Sequence, residues 1–575
     1  ERFTLLKNIL PNNIEPNITP LTSSASSVLG IGITSKDKNL TELRAVAENI
    51  IIPHLMAVPG VADVNRFGGL LKQIQIEIIP DKIFFHNVKI SDIAIAAQKS
   101  TGVAGAGFIQ NENQRIIINT KGQSKTIEEL ELTPVINAQG NKVRIKDVAN
   151  VKIGSMPSIS SASINGQKGV YLSIQGQLNS DTYKLTKQIE MALNSIKPIL
   201  LKEKIELFPD LFKPANFIDA SIKGLRFDIL IGSLMVISIL FLFLFNFKTA
   251  FISAIAIPLS LLSAIIVMSY FNLGLNVMVL SGLAIALGEV VDDAIIDVEN
   301  IFRRLKQNRK LTKPKPLHHV VFEASMEVRK SVIFATIIIV LVFIPLLSLS
   351  GVAGKLFGPL GIAYISSIFA SLFVAMTVTP ALCYLLLGKS ELHSNDSPVI
   401  AYIKKRYIKL LKGIEKHYRP IIFSSLLIIS IGISFLPFFK TQFIPPLHEG
   451  HFIMHMTAFP GTSESESIRI GDKVSSKIRK IEGVKSVAQW VGRSPLGADT
   501  FGTHYSEFEI ELDDLSGNEQ DKVLEKIRML VQSDNENGLK SSEGFVGVNF
   551  AINTFLTERI EETISGYNAS IVINI

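Results

Sequence analysis

Between Lys248 and Glu289 the chain carries no charged residue, and this gap limits what it can fold into more than any other feature. A bilayer core of about 30 Å is crossed by roughly 20 residues of helix. The gap is long enough for one span, a turn near Asn272-Leu273-Gly274, and most of a second span. Uncharged runs recur from Ile229 to Phe245, between Lys330 and Lys355, between Lys355 and Lys389, and between Arg419 and Lys440. Repeated runs of this length exceed what a water-soluble core uses, so six membrane spans are expected.

The flanking regions have a different character. Residues 1 to 226 hold no run that could span a bilayer, and short alternating segments such as Ile74-Gln75-Ile76-Glu77-Ile78 predict a soluble α+β region. A formal charge of +7 raises the question of a nucleic-acid partner, and the placement of the charge answers it. Arg303, Arg304, Lys306, Arg309, Lys310, Lys313, Lys315, Arg329 and Lys330 crowd one connection between spans, and Lys404, Lys405, Arg406, Lys409 and Lys412 another. Basic connections of this kind mark the cytoplasmic side. The charge is therefore a topology signal, no nucleic acid is expected, and residues 1 to 226 and 441 to 575 fall together on the opposite side. Tyr402 to Tyr418 alternates apolar and basic residues at helical spacing, which predicts an amphipathic surface helix. The lone cysteine, Cys383, excludes an intrachain disulfide. The two outer regions echo each other, with Val58-Pro59-Gly60-Val61 matched by Ile481-Glu482-Gly483-Val484, each followed by a strand-like run, as in a duplicated βαβ unit. With Glu1 first and the strand-like run Ser570 to Ile575 last, the sequence reads as a piece of a longer polypeptide.

One span departs from the apolar rule. The segment from about Asn276 to Val298 carries Glu289, Asp292, Asp293 and Asp297. Asp293 lies about 15 Å along the helix from Arg303, close to the expected bilayer centre. An ionised Asp there costs roughly 2.5–3.5 kcal/mol on insertion scales, so two adjacent carboxyls require a partner, water or a proton. Glu289, Asp293 and Asp297 recur every four residues and share a face that must turn into the bundle, with Asp292 beside it. Asp292 and Asp293 are thus the expected proton-relay pair, whereas Asp297 and Glu299 sit near the boundary and are expected to pair with basic residues. Ser281, Gly282, Ala284, Ala286 and Gly288 permit close helix approach.

The run Gly288-Glu289-Val290-Val291-Asp292-Asp293-Ala294-Ile295-Ile296-Asp297-Val298-Glu299-Asn300 resembles the fourth-span signature of the resistance-nodulation-division (RND) efflux permeases. The likeness extends through Asp147-Val148-Ala149, Pro209-Asp210, Phe245-Asn246-Phe247 and Phe443-Ile444-Pro445, and is nearest to the heavy-metal-efflux branch. It implies an inner-membrane proton antiporter with twelve spans and large periplasmic domains, assembled as a homotrimer with a periplasmic adaptor protein and an outer-membrane channel. It also implies an α-helical transmembrane bundle joined to α+β, ferredoxin-like βαβ porter subdomains. Residues 1–21 would end a first porter subdomain, and 22–73 with 152–222 would form a second, split by a docking subdomain at 74–151. Residues 223–440 would be the six-span bundle, with the amphipathic helix near 400–418, and 441–575 a third porter subdomain. By the same likeness Asp292 and Asp293 match the paired aspartates of multidrug members, while metal exporters often keep only the first. The relay's basic partner would lie in a later span, outside this sequence.

The cargo is approached through His448-Glu449-Gly450-His451-Phe452-Ile453-Met454-His455-Met456, whose thioethers and imidazoles suit Cu(I), Ag(I) or Zn(II). On a strand, Met454 and Met456 share one face and His455 takes the other, so the three converge only with a bend. The likeness to copper and silver exporters places ligands near His455 and at Glu562, where an acidic residue points to divalent metals instead. Met454, His455, Met456 and Glu562 are the candidate metal ligands, set against a purely structural role for the methionines. Two alternatives remain open: an RND exporter of amphiphilic drugs or lipids, and a sterol-sensing or protein-translocation relative. The loop Gly492 to Gly502 could line a substrate path or be an ordinary hairpin. No catalytic constellation, phosphate-binding loop or cofactor motif is present, so a secondary transporter rather than an enzyme or ATP-driven pump is expected.

Overall fold

The computed structural model describes residues 26–559 apart from 103–104, 120–122, 137–139, 245–246, 272, 275, 389–397, 440–447, 496, 498–500, 532–544 and 546. The expected 1–21 segment, Glu562 and the end of the expected 441–575 subdomain therefore lie outside the described residues. The chain divides into two compact units, Glu1–Ala215 with Leu447–Arg559, and Asn216–Pro446 with Ile560–Ile575.

The first unit is built on two antiparallel sheets. In chain order the strands are β1 (Ser27–Thr34), β2 (Val61–Gly68), β3 (Ser160–Ile164), β4 (Gln167–Lys168), β5 (Val170–Gly176), β6 (Glu206–Phe212), β7 (His451–Thr457), β8 (Val484–Gly492), β9 (Tyr505–Leu512) and β10 (Asn549–Asn553). The four-stranded sheet runs β6-β1-β5-β2 and the six-stranded sheet β4-β3-β8-β9-β7-β10. The helix Thr182–Lys202 begins where the Asp181 carboxylate accepts the Lys184 N–H at 3.0 Å. Its Leu185, Ile189, Leu193, Ile196 and Leu200 recur at helical spacing and are buried with Leu29, Ile31, Ile33, Leu172 and Ile174 of the smaller sheet. Each such side chain contributes about 1.5–3 kcal/mol by leaving water. Between β2 and β3 the chain makes a separate small core, in which Lys72–Ile78 pairs with Ala149–Ser155 around Ile93, Leu130, Val135, Ile145 and Val148.

The larger sheet is apolar on the face covered by the helices Glu464–Ile478 and Gly517–Val531. There Phe452, Met454, Met456, Phe508, Ile510 and Leu512 pack with Val474, Ile478, Val523 and Ile527.

The second unit is helical. Its long helices are Pro214–Leu244, Phe247–Tyr270, Val277–Arg309, Leu317–Leu347, Gly351–Leu387 and Tyr418–Phe435, with Pro398–Lys416 as the basic amphipathic one. Among the described residues four helices are long and apolar enough to cross a membrane: Phe247–Tyr270, Leu317–Leu347, Ala353–Leu387 and Tyr418–Phe438. Val277–Arg309 also has the length, at 33 residues, and its acids and basic end account for its lower apolar content. Its side chains meet those of Gly351–Leu387 in parallel order, from Gly282 near Ala363, through Asp293 on Ser371, to Arg309 on the Gly388 carbonyl. A Cβ on Gly282 would come within 2.5 Å of the Leu360 carbonyl oxygen, so the close approach requires glycine there.

Candidate metal centre and the acidic helix

β7 and β9 pair in antiparallel register, with His451 opposite Glu511, Ile453 opposite Glu509 and His455 opposite Glu507. Side chains alternate across a strand, so the register that sends the methionines to the apolar core puts both histidines and all three glutamates on the other face. That face is also buried: His451, His455, Glu507, Glu509 and Glu511 are each less than 10% exposed. Buried carboxylates persist only when paired or protonated.

The pairing divides the row in two. His451 is clamped from both sides, Nε2 donating to Glu509 at 2.7 Å and Nδ1 to Glu511 at 2.9 Å, while the Tyr171 hydroxyl of β5 donates to Glu509 at 3.0 Å. Burial alone would lower the His451 pKa, but the hydrogen bonds and charges of Glu509 and Glu511 outweigh it and hold it up at about 10. His451 is consequently an imidazolium with both ring nitrogens protonated and neither available to a metal. Burial likewise pushes the Tyr171 hydroxyl well up.

His455 has a different set of neighbours. Its Nε2 is 2.7 Å from Glu558, its Nδ1 is 2.5 Å from the Tyr505 hydroxyl and 3.6 Å from Glu507. Glu558 is 1% exposed and stands on a helical turn at 555–559, where Arg559 lies 3.5 Å from it. One nitrogen and two carboxylate oxygens of His455, Glu507 and Glu558 lie within 4.8 Å of one another. Burial would lower the His455 pKa, yet the hydrogen bond to Glu558 and the charges of Glu507 and Glu558 raise it, and burial raises that of Glu507. In such a cluster a divalent cation would displace protons, taking the imidazole nitrogen and two carboxylates as ligands. Stacked Phe67 and Trp490, with Phe501 stacked on Tyr505, form an aromatic wall beside it.

Of the four expected metal ligands, His455 lies in this cluster. Met454 and Met456 do not join it: both are fully buried in the apolar core on the opposite face of β7, because the strand runs without the bend that convergence needs. Glu507 and Glu558, which complete the cluster, are not among the residues expected from the sequence. The alternation Glu507-Phe508-Glu509-Ile510-Glu511 carries a signal for a strand with one acidic face, but such a face ordinarily meets water. Nothing in the local pattern marks it as covered.

On the acidic helix the adjacent pair separates. Asp293 is half-buried and accepts a 3.1 Å hydrogen bond from the Ser371 hydroxyl, whereas Asp292 is exposed. Asp297, 5% exposed, lies beside Ser325 and Arg329 of Leu317–Leu347. The Arg329 guanidinium also donates to the Ser325 hydroxyl at 2.8 Å. One Asp297 oxygen, Oδ2, has no hydrogen-bond partner among the described residues.

Long apolar helices, one helix with internal carboxylates, and a separate folded unit holding a buried cluster of one imidazole and two carboxylates are the combination expected of a membrane permease. Residues 1–571 match the AcrB/AcrD/AcrF family, and the chain belongs to that family of RND permeases. It is 31% identical over 513 residues to protein HelA of Legionella pneumophila, an alignment covering 87% of this chain and 48% of that protein. It is 24% identical to the cobalt-zinc-cadmium resistance protein CzcA of Cupriavidus metallidurans, across 100% of this chain and 54% of that protein. With the cation efflux system protein CusA of Escherichia coli K12 the identity is 25%, across 92% and 51%. A crystal structure of a heavy metal efflux pump superposes with a TM-score of 0.79 at 22% identity, covering 96% of this chain and 52% of that one, a likeness of fold. The chain spans about half the length of the curated relatives it matches.

Proposed function

We propose that the chain forms part of a proton-driven exporter of divalent transition-metal cations, in which His455, Glu507 and Glu558 bind the cargo. The observation that carries this reading is the buried cluster of one imidazole and two carboxylates. Nitrogen and oxygen ligands suit Zn(II), Co(II) or Ni(II), whereas Cu(I) and Ag(I) prefer thioethers, and both β7 thioethers are committed to the apolar core. Relatives named for cobalt, zinc, cadmium and nickel resistance agree in cargo class. Asp292 and Asp293 carry the protons; Asp293 accepts a hydrogen bond from Ser371, and Asp292 beside it is exposed. Each proton entering down the membrane potential supplies about 2.3 kcal/mol per 100 mV.

The assembly is the family's: a homotrimer in a bacterial inner membrane, with a periplasmic adaptor and an outer-membrane channel. Residues 22–73 with 152–222 form a ferredoxin-like porter subdomain, a reading supported by the β6-β1-β5-β2 strand order with helices between β1 and β2 and between β5 and β6. The separate core within 74–151 is the docking subdomain, and 441–575 begins another porter subdomain.

The test is resistance of cells carrying the full-length pump to zinc, cobalt, nickel, copper and a cationic dye. Protection against the first three should be lost in His455→Ala and Glu507→Gln. Protection against the dye alone, unaffected by either substitution, would favour a drug exporter and sink the metal reading.

A further inference from the structure

Glu449 is absorbed by neither the cluster nor the proton helix, although it is set just ahead of β7 and is half-buried. Both its carboxylate oxygens accept the backbone N–H of Leu556, at 2.9 and 3.2 Å. Leu556 belongs to the turn at 555–559, within which the Glu558 N–H donates to the Thr554 carbonyl at 3.1 Å. The same turn delivers Glu558 to His455 at 2.7 Å. Phe555 anchors its other side against Phe212 and Ile453.

The base on which Glu449 stands is tied by hydrogen bonds at Gly450. The next residue, Gly450, adopts φ +75°, a conformation glycine takes without strain. Its N–H donates to Gln520 at 3.0 Å, and its carbonyl accepts the Leu512 N–H of β9 at 2.9 Å. A carboxylate fixed to the end of β9 thus grips the backbone two residues before a cluster member.

We propose that Glu449 is a positioning residue for the cation cluster: its carboxylate caps the 555–559 turn and holds Glu558 where it joins His455 and Glu507, and a proton on Glu449 loosens that ligand. This rests on reading the cluster as a cation site. Charged capping bonds are stronger than neutral ones, so the grip weakens when the carboxyl is neutral. Burial raises the Glu449 pKa to about 7, against the lowering effect of the Leu556 N–H and the His451 charge. Among the other charged groups nearby, Glu511 is paired with His451, Glu558 and Arg559 stand on the capped turn itself, and Asp521 is paired with His448. Acidification would then weaken cation binding through the support as well as through the ligands.

The experiment is calorimetric titration of Zn(II) into the detergent-solubilised full-length pump at pH 6, 7 and 8, for wild type, Glu449→Gln, Glu449→Asp and His455→Ala. Groups that orient a metal ligand are typically worth 10- to 100-fold in metal affinity. Glu449→Gln should bind about 10-fold more weakly than wild type at pH 8 and nearly equally at pH 6, giving a flatter pH profile. Glu449→Asp keeps the charge but is one methylene short, and should also bind more weakly at pH 8. Wild-type affinity at pH 8 in either variant, or a Glu449→Gln profile parallel to wild type, overturns the proposal. Zn(II) binding that survives His455→Ala at full strength instead overturns the reading of the cluster, so the two failures are distinguishable.

Discussion

The β7–β9 face and the acidic helix both bury carboxylates, and they satisfy them in different ways. On the sheet, each histidine meets two glutamates, so nitrogen and oxygen atoms converge from β7, β9 and the 555–559 turn. On the helix, Asp293 has one hydroxyl from Ser371, and Asp297 keeps one oxygen without a partner among the described residues. A convergent, nearly closed shell is suited to an ion held at fixed distances. An under-supplied carboxylate in a costly environment is suited to gaining and losing a proton. The contrast recurs on a smaller scale within β9, where Glu509 and Glu511 hold a permanent imidazolium and Glu507 faces the exchangeable cluster.

The sharpest way to break this comparison is to neutralise each site and read both activities. Asp293→Asn should reduce metal export by the full-length pump to the empty-vector level while Zn(II) affinity in detergent stays within about twofold, because under the proposed function the substitution removes a proton carrier and no ligand. Loss of Zn(II) binding in that variant would show that the helix also holds the cargo. Export measured beside it for Asp292→Asn divides the pair.

A second test concerns the two histidines. His451→Ala would leave two buried carboxylates without their shared cation and should destabilise the fold by about 3–5 kcal/mol, measured by thermal or denaturant unfolding. His455→Ala should cost less stability and abolish Zn(II) binding. The pH dependence has a definite sign. The His451 pKa is raised from 6.5 to about 10, so its stabilisation is complete below pH 6.5 and is lost as pH climbs through 10. A wild-type unfolding temperature as insensitive as that of His451→Gln between pH 7 and 10 would contradict the imidazolium assignment.

The smallest expected effect falls on the apolar side of β7. Met454→Leu nearly conserves volume, so it should change stability by under about 1.5 kcal/mol, leave Zn(II) resistance unaltered and leave growth on copper the same as wild type. A selective loss of copper resistance would return the thioether to the cargo path.

Much of the molecule is legible from the chain itself, for reasons that are local. Charge-free runs of span length depend only on composition along the chain, and so does the basic bias of the connections. Period-two alternation alone puts Met454 and His455 on opposite faces of one strand. The acidic run from Glu289 to Asp297 stands out because a bilayer penalises charge wherever the helix points. What the sequence leaves open is which face meets water and which partner meets which acid. Glu507, Glu509 and Glu511 are equivalent along β9, and they become different only when β7 sets His451 and His455 against them and Tyr171 arrives from the second sheet. Glu558 joins His455 across 103 residues of sequence, and Glu449 reaches Leu556 across 107. Such contacts carry no periodic signal, because they follow from sheet register and from the packing of one layer on another.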